Sequence, residues 1–152
     1  MGRQIKDLNV GIVGYGRLGK MMDRFCKAFE ANTFIYDPYV DIQQTSLEEM
    51  FKKCDVVSLH VHVSKETKYM INKNLLGLMK KDSYLINTSR GEIVEEKDVV
   101  DALEFGNLAG YGTDVIEDEF NDWIDSPIVC NESRTKYYMY TPHRWDDYRR
   151  SN

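Results

Sequence analysis

The residues of this chain best suited to chemistry are polar side chains that follow apolar runs of the sequence. They are Thr88, Ser89 and Arg90, then Asp114, Glu119 and His143. An arginine can bind a carboxylate through two parallel hydrogen bonds, and a histidine can give a proton to a ketone oxygen, or take it back, near neutral pH. A neighbouring glutamate would orient the imidazole and favour its protonated form. These residue types suit hydride transfer to a ketone in an acid substrate, with Arg90, Glu119 and His143 as the catalytic candidates.

Each of these residues also has a simpler interpretation when it is considered alone. Arg90 could be a surface cation at a strand end, Glu119 is one of several acids in its part of the chain, and His143 follows a proline and could belong to a turn. The catalytic interpretation is favoured if the fold brings them to one edge. The elements that position them therefore decide between the two interpretations.

The stretch VGIVGYGRLG at 10–19 predicts those elements most directly. An apolar strand at about 8–13 runs into a glycine motif made of Gly14, Tyr15, Gly16, Arg17, Leu18 and Gly19. A helix follows, because apolar residues recur there at helical spacing: Leu18, Met21, Met22, Phe25, Cys26 and Phe29. We expect this stripe to form the buried face of the helix. A second strand at 33–37 ends in Asp37, about twenty residues past the glycines.

This strand, glycine turn, helix and strand are typical of dinucleotide binding. Gly14 permits the tight turn, Gly16 lets a pyrophosphate approach the backbone, and Gly19 lets the helix lie close to the strand. A carboxylate at Asp37, followed by Pro38 and not by a basic residue, would bind the adenosine ribose hydroxyls and repel a 2′-phosphate, which favours NAD over NADP. The alternative is that the glycines form only a tight turn and that Asp37 begins a turn with Pro38.

The rest of the sequence alternates between strand and helix patterns. Further strands are predicted at 55–61, 83–88, 109–115 and 137–141, and helices at 46–53, 71–79 and 94–105, the first with Ser46 as N-cap and the last with Gly106 as its stop. An exposed loop is expected at 117–136. Such alternation predicts an α/β fold with a doubly wound parallel sheet, and its ligands bind at the carboxyl ends of the strands, where all the candidate residues fall.

His60, Val61 and His62 lie at the end of the third predicted strand. The two histidines are a candidate metal pair, but no further ligand is near them in the sequence. His60 and Val61 are therefore assigned to the wall of the cofactor cleft. The three cysteines, Cys26, Cys54 and Cys130, form no ligand cluster either, so no metal is expected.

Composition limits the range of partners. The chain has 152 residues, a net charge of −5 and 42% hydrophobic residues, which predicts one soluble globular domain. No basic stripe is present, which argues against nucleic acid as a partner. The sequence shows neither an apolar run long enough to span a membrane nor a signal-peptide pattern, so we expect no membrane partner and a cytoplasmic location.

Together these motifs resemble the NAD-binding domain of the D-isomer-specific 2-hydroxyacid dehydrogenases, the family of phosphoglycerate, glycerate and D-lactate dehydrogenases. The resemblance covers about 4–143 and is carried by VGIVGYGRLGK, YDPYV, SLEEMFKKCDVVSLHV, INKNLLGLMK, YLINTSRGEIVEEKDVVDALEFGNLAGYGTDV and TPH. It implies NAD as cofactor and a small 2-hydroxy or 2-keto acid as substrate. By motif position, the family's substrate-binding arginine falls on Arg90, its glutamate on Glu119 and its acid/base histidine on His143, while Asp114 matches the residue that holds the nicotinamide carboxamide.

The sequence also departs from the family pattern. Phe120 stands after Glu119 where the family usually has proline, His62 stands where another proline is usual, and Arg144 begins a segment where a glycine pair is usual. The segments that form the family's substrate domain have no counterpart in the sequence. We therefore expect 1–152 to be an NAD-binding domain with its core at about 8–143, weakly active or inactive alone, and able to form a homodimer through apolar surface left exposed.

Two other functions remain open from the sequence. One is a non-catalytic NAD(H)-binding module that senses redox state or binds a protein partner, which the lack of a substrate domain favours. The other is a methyltransferase with a similar glycine turn, which binding of S-adenosylmethionine in place of NADH would support.

Overall fold

A computed structural model of the chain describes residues 3–117, 125–130 and 138–140, which form a layered α/β fold. Its strands are β1 (Asn9–Val13), β2 (Asn32–Tyr36), β3 (Val56–Leu59), β4 (Tyr84–Asn87), β5 (Gly110–Thr113) and β6 (Tyr138–Tyr140). Its helices are α1 (Arg17–Ala28), α2 (Leu47–Lys53), α3 (Lys73–Leu76), α4 (Glu96–Glu104) and α5 (Pro127–Cys130), with single 3-10 turns at Ile5–Asp7 and Gly91–Ile93.

The six strands lie in one sheet in the order β2-β1-β3-β4-β5-β6, and every neighbouring pair is parallel. The predicted doubly wound sheet is thus confirmed. The chain reverses direction across the sheet at β1, so the crevice between the ends of β1 and β3 is the switch point at which ligands of such sheets bind. β1 and β2 lie on one side of this point and four strands on the other. Only α2 separates β2 from β3, and residues 37–55 leave no room for a further strand with its own crossover.

Helices cover the sheet from both faces. α2, α3, α4 and α5 pack on one another in that order along one face, over a core that includes Phe51, Leu59 and Leu85, all fully buried. α1 covers β1 and β2 on the other face, over Val10 and Ile12. Burial of these apolar side chains is the main source of the fold's stability, and it fixes which strand ends lie side by side.

The helix ends follow the sequence signals. Ser46 accepts a hydrogen bond from the backbone N–H of Glu49 (3.2 Å), as predicted for the N-cap of α2. Gly106, just beyond α4, has a φ of 74°, a conformation that glycine adopts without strain. The start of α2 and the end of α4 therefore lie where the sequence signals predict them.

α1 buries a different face from the one that its apolar pattern predicts. Gly19, Asp23 and Cys26 face the sheet, spaced at i, i+4 and i+7, whereas Phe25 and Phe29 are 53% and 60% exposed. A side chain at Gly19 would overlap the backbone of the glycine turn, so this residue must face the strand. That requirement fixes the rotation of the helix and leaves both phenylalanines outside, together with Leu18, which is 61% exposed. The prediction of a buried stripe is therefore wrong for these three residues.

Two other predictions also need correction. Ile71 and Val94 are not helical: they form an isolated parallel bridge, and the helices are the shorter α3 and α4. Both side chains are completely buried in the larger core. The expected exposed loop at 117–136 contains α5, whose Ile128 is buried, because this helix packs on α4.

Candidate functional site

The glycine turn between β1 and α1 is built around close backbone contacts. Gly14 has a φ of 92°, and a Cβ there would lie 2.6 Å from the carbonyl oxygen of His60, so only glycine fits. Its N–H donates to the carbonyl of Tyr36 (2.8 Å). Gly16 is different, because a Cβ there would meet nothing within 4 Å. The described protein atoms give no reason for glycine at that position, but a ligand that occupies the open space does.

Asp37 lies directly beside this turn. Its Oδ2 accepts the backbone N–H of Tyr15 (2.7 Å), and its Oδ1 accepts that of Tyr39 (3.0 Å). Gln44 accepts the N–H of Asp37 itself (2.9 Å). A carboxylate offers about four lone-pair directions, so both oxygens can still accept ribose hydroxyls. The predicted turn that begins at Asp37 therefore exists, and it is compatible with cofactor binding.

Hydrogen bonds join the carboxyl ends of five neighbouring strands into one rim. In order across the sheet, these bonds are Gly14 N–H to Tyr36 O (2.8 Å), His60 N–H to Val13 O (2.7 Å), Ser89 Oγ–H to Leu59 O (2.7 Å) and Thr113 Oγ1–H to Asn87 O (2.9 Å). The Thr113 hydroxyl is shared with the carbonyl of Val115 (2.6 Å). The rim brings the predicted residues of five strand ends together at one edge of the sheet. Those within the described chain are Gly14 to Gly19, Asp37, Pro38, His60, Val61, Thr88, Ser89, Arg90 and Asp114.

Arg90 extends from a short loop after β4 whose shape is set by Asn87. The buried Asn87 side chain donates to the carbonyl of Arg90 (2.9 Å) and accepts the N–H of Ser89 (3.1 Å), while Tyr111 Oη lies 3.3 Å from its Nδ2. The Arg90 side chain is exposed and donates to the adjacent carbonyl of Ser89 (2.6 Å). The loop is therefore fixed, and its guanidinium faces solvent at the rim.

The segment after β5 is held by a buried carboxylate. Glu96 of α4 accepts the N–H of Glu117 (2.8 Å) and the hydroxyl of Ser126 (2.6 Å), and Tyr69 donates to the side chain of Glu117. Burial raises the pKa of Glu96, although these hydrogen bonds act against the shift. Asp114 lies at the start of this segment, half-buried. Glu119 and His143 lie outside the described residues.

His60 points towards a neighbouring serine and not towards His62. Its Nε2 lies 2.9 Å from the hydroxyl of the buried Ser58, and burial lowers the pKa of His60, which favours the neutral ring. Within the described ranges, no three histidine, cysteine or acidic side chains cluster as metal ligands would. The position of His60 beside Gly14 agrees with its assignment to the cleft wall.

The sequence patterns do not identify the buried polar residues that hold the loops of the site in place. Asn87 and Glu96 fall within a predicted strand and a predicted helix, and Asp23 lies between the apolar positions of the first predicted helix. The available signal was an isolated polar residue in an otherwise apolar position, which calls for a hydrogen-bonding partner when it is buried. Periodicity alone could not name that partner, because Asp23 bonds to Tyr15, eight residues away, and Glu96 bonds to Ser126, thirty residues away.

The geometry fits a dinucleotide. The open space at Gly16 lies at the N-terminus of α1, where unpaired N–H groups and the helix dipole favour an anion. Asp37 lies beside this turn, and Asp114 follows the end of β5 at the same edge of the sheet. None of the helices in the described segments is long and apolar enough to cross a bilayer.

Comparison with known proteins identifies the family. Residues 1–144 match the model of the family "D-isomer specific 2-hydroxyacid dehydrogenase, NAD binding domain". The D-specific alpha-keto acid dehydrogenase of Enterococcus faecalis is 31% identical over an alignment of 152 positions, which covers 93% of this chain and 47% of that protein. The chain thus spans about half the length of this curated relative.

Solved structures similar to this chain lead to the same family. The D-lactate dehydrogenase of Aquifex aeolicus, solved with NAD and lactic acid, is 38% identical with a TM-score of 0.75, over 78% of this chain and 38% of that one. The D-lactate dehydrogenase of Lactobacillus jensenii, solved with NAD+, is 26% identical with a TM-score of 0.85, over 94% and 47%. The predicted resemblance and the choice of NAD are confirmed: the chain belongs to the D-isomer-specific 2-hydroxyacid dehydrogenase family, as its NAD-binding domain.

Proposed function

We propose that this chain is the cofactor-binding part of an oxidoreductase that transfers hydride between nicotinamide and a D-2-hydroxy acid/2-keto acid pair. The observation that carries the proposal is the rim, on which Ser89 of the Arg90 loop is bonded to the end of β3, next to the glycine turn. A guanidinium at that point is within the same crevice as a bound nicotinamide cofactor. When bound, NAD(H) supplies or accepts the hydride.

The roles of the other residues follow from their chemistry. Arg90 would bind the substrate carboxylate through two parallel hydrogen bonds. His143 would give the ketone oxygen its proton, and Glu119 would orient the imidazole and favour its charged form. Asp114 would hold the nicotinamide carboxamide.

Cofactor contacts would come from the rim itself. The pyrophosphate would lie against the glycine turn, which comprises Gly14, Tyr15, Gly16, Arg17, Leu18 and Gly19. The ribose hydroxyls would bind Asp37 next to Pro38, and the nicotinamide half would lie along His60, Val61, Thr88 and Ser89. Leu18 is 61% exposed, which is consistent with a side chain that a cofactor covers.

The part of the enzyme that closes over the substrate is proposed to lie in a domain outside residues 1–152. Such a domain normally excludes water from the cleft, so this chain alone should bind NAD(H) and turn over weakly or not at all. We further propose a cytoplasmic location, and a homodimer in which exposed apolar side chains are covered. Neither nucleic acid nor membrane is proposed as a partner.

The test is NADH oxidation across a panel of 2-keto acids, with Arg90→Ala and the matched variant Arg90→Lys. Turnover on at least one acid should fall about 100-fold or more in Arg90→Ala, because two charge-assisted hydrogen bonds are lost. Arg90→Lys keeps the charge but not the planar fork, so it should restore only part of the activity. The Kd for NADH should change far less than kcat/KM in both variants.

A second function is favoured by one observation, the exposed phenylalanines of α1. Phe25 and Phe29 form an apolar surface typical of a protein contact, which suits a non-catalytic NAD(H)-binding sensor or interaction module. Tight NADH binding without turnover on any acid would be compatible with this function, whereas turnover that Arg90→Ala abolishes would support the enzymatic one.

A further inference from the structure

A buried carboxylate lies inside α1, on the side that faces the sheet. Asp23 is 3% exposed, and its neighbours in that face are Gly19 and Cys26. An aspartate is rarely buried to this degree unless partners satisfy its charge. Its position therefore calls for an explanation beyond helix formation.

Two side chains bond to the same oxygen of Asp23. The hydroxyl of Tyr15 donates to Oδ2 at 2.6 Å, and Lys27, one turn further along α1, donates at 2.8 Å. Burial by itself raises the pKa of Asp23, but hydrogen bonds from Lys27 and Tyr15 outweigh burial and lower it. The group is therefore a carboxylate at neutral pH, and an anion accepts the Tyr15 hydroxyl strongly.

Tyr15 is consequently held at both ends. Its backbone N–H donates to Asp37 (2.7 Å), its ring packs on the small core beneath α1, and its hydroxyl is bound to Asp23. Tyr15 stands between Gly14 and Gly16, the two residues that give the turn its shape. Two glycines make the backbone of the turn flexible, and the anchored Tyr15 side chain between them restricts its conformation.

We propose that Asp23 is a positioning residue for cofactor binding: it anchors Tyr15 and so holds the glycine turn in the conformation that receives the pyrophosphate. Asp23 touches no cofactor atom. Lys27 balances its charge, so that the carboxylate does not weaken anion binding nearby. The proposal depends on NAD binding by this domain and not on the proposed reaction, so failure of one is distinguishable from failure of the other.

The experiment compares two probes, ADP and adenosine, in the variants Tyr15→Phe, Asp23→Ala and Asp23→Asn. Loss of the anchor leaves the turn to be ordered by the ligand, which should raise the Kd for ADP and for NADH roughly five- to tenfold in Tyr15→Phe and Asp23→Ala. Adenosine lacks the phosphates, so its Kd should stay within about twofold. Asp23→Asn keeps an oxygen that can accept the Tyr15 hydroxyl, so it should recover most of the affinity for ADP.

Tyr84→Phe is the matched control. Tyr84 is the first residue of β4 and lies at the amino ends of the strands, away from the glycine turn, so this substitution should leave the binding of both probes unchanged. A merely structural role for Asp23 would weaken ADP and adenosine equally, and that result would overturn the proposal. Unchanged ADP binding in Tyr15→Phe, a variant that keeps the buried ring, would overturn it as well, even if Asp23→Ala does not fold.

Discussion

Replacement of Gly16 by alanine should separate cofactor binding from stability. The added Cβ would have no protein atom within 4 Å, and the backbone at φ −74° and ψ −156° is extended and open to alanine. Alanine is a poorer N-cap than glycine by about 0.5–1 kcal/mol, but it restricts the unfolded chain by a similar amount. The free energy of unfolding should therefore change by less than about 1 kcal/mol.

NADH binding should respond quite differently. The methyl group would occupy the space through which the pyrophosphate reaches the backbone N–H groups of the turn. Loss of one charge-assisted hydrogen bond costs about 1.5–3 kcal/mol, which corresponds to a rise in Kd of roughly 10- to 100-fold. Titration of NADH fluorescence measures the Kd, and urea denaturation followed by circular dichroism measures stability.

The matched variant is Gly19→Ala. Its Cβ would overlap the carbonyl oxygen of Gly14, so both stability and NADH affinity should fall. Wild-type NADH affinity in Gly16→Ala would refute the reasoning that the open space belongs to the cofactor. A large loss of stability in the same variant would refute the claim that no protein contact requires glycine there.

Three further predictions follow from buried or bound carboxylates. Asp37→Ala should raise the Kd for NADH about tenfold and reduce the preference for NADH over NADPH, measured by titration with each cofactor; an unchanged preference would contradict the role of Asp37. Glu96→Ala should lower the free energy of unfolding by about 2–4 kcal/mol, because the N–H of Glu117 and the buried hydroxyl of Ser126 lose their acceptor. Glu96→Gln should cost less in the same urea titration, and equal losses would argue against this reason. Burial acts to raise the pKa of Asp55, but hydrogen bonds from Asn9 N–H, Lys80 and Arg3 outweigh it and lower the pKa. The stabilisation by Asp55 is therefore complete above about pH 4 and is lost as pH falls through the lowered pKa. The difference in the free energy of unfolding between the wild type and Asp55→Asn should become smaller in acid, and a difference independent of pH would contradict this role of Asp55.

The glycine turn and its helix could be predicted because the signals are local. Gly14 has a positive φ, Gly19 lies against the backbone of the turn, and Ser46 caps the N–H of the residue three positions later. Each of these features depends on residues only a few positions apart in the sequence. Strand ends could be located for the same reason. In a parallel sheet, knowing where strands end is enough to predict which residues share an edge.

The face that α1 buries could not be predicted from its apolar residues. Phe25 and Phe29 point in one direction and Gly19 in another, and hydrophobic periodicity favours the phenylalanines. Close packing of Gly19 on the turn decides the rotation, and Asp23 is carried inward with it. A hydrophobicity scale scores side chains only, so it cannot predict a contact between two backbone segments.

The bridge between Ile71 and Val94 escaped prediction for another reason. A single pair of extended residues is too short to show alternation, and both residues are bounded by helical patterns. Their burial depends on two segments meeting in space, which no window of the sequence contains.

The hydrogen-bonded rim has a consequence for how the site responds to motion. Because Gly14, His60, Ser89 and Thr113 each bond to the end of a neighbouring strand, no strand end can fray without breaking a bond to the next one. The amide protons of Gly14 and His60 should accordingly exchange with solvent as slowly as those of the central sheet, although both residues border an open crevice. Five strand ends that open only together give the cofactor a surface that is already formed before it arrives.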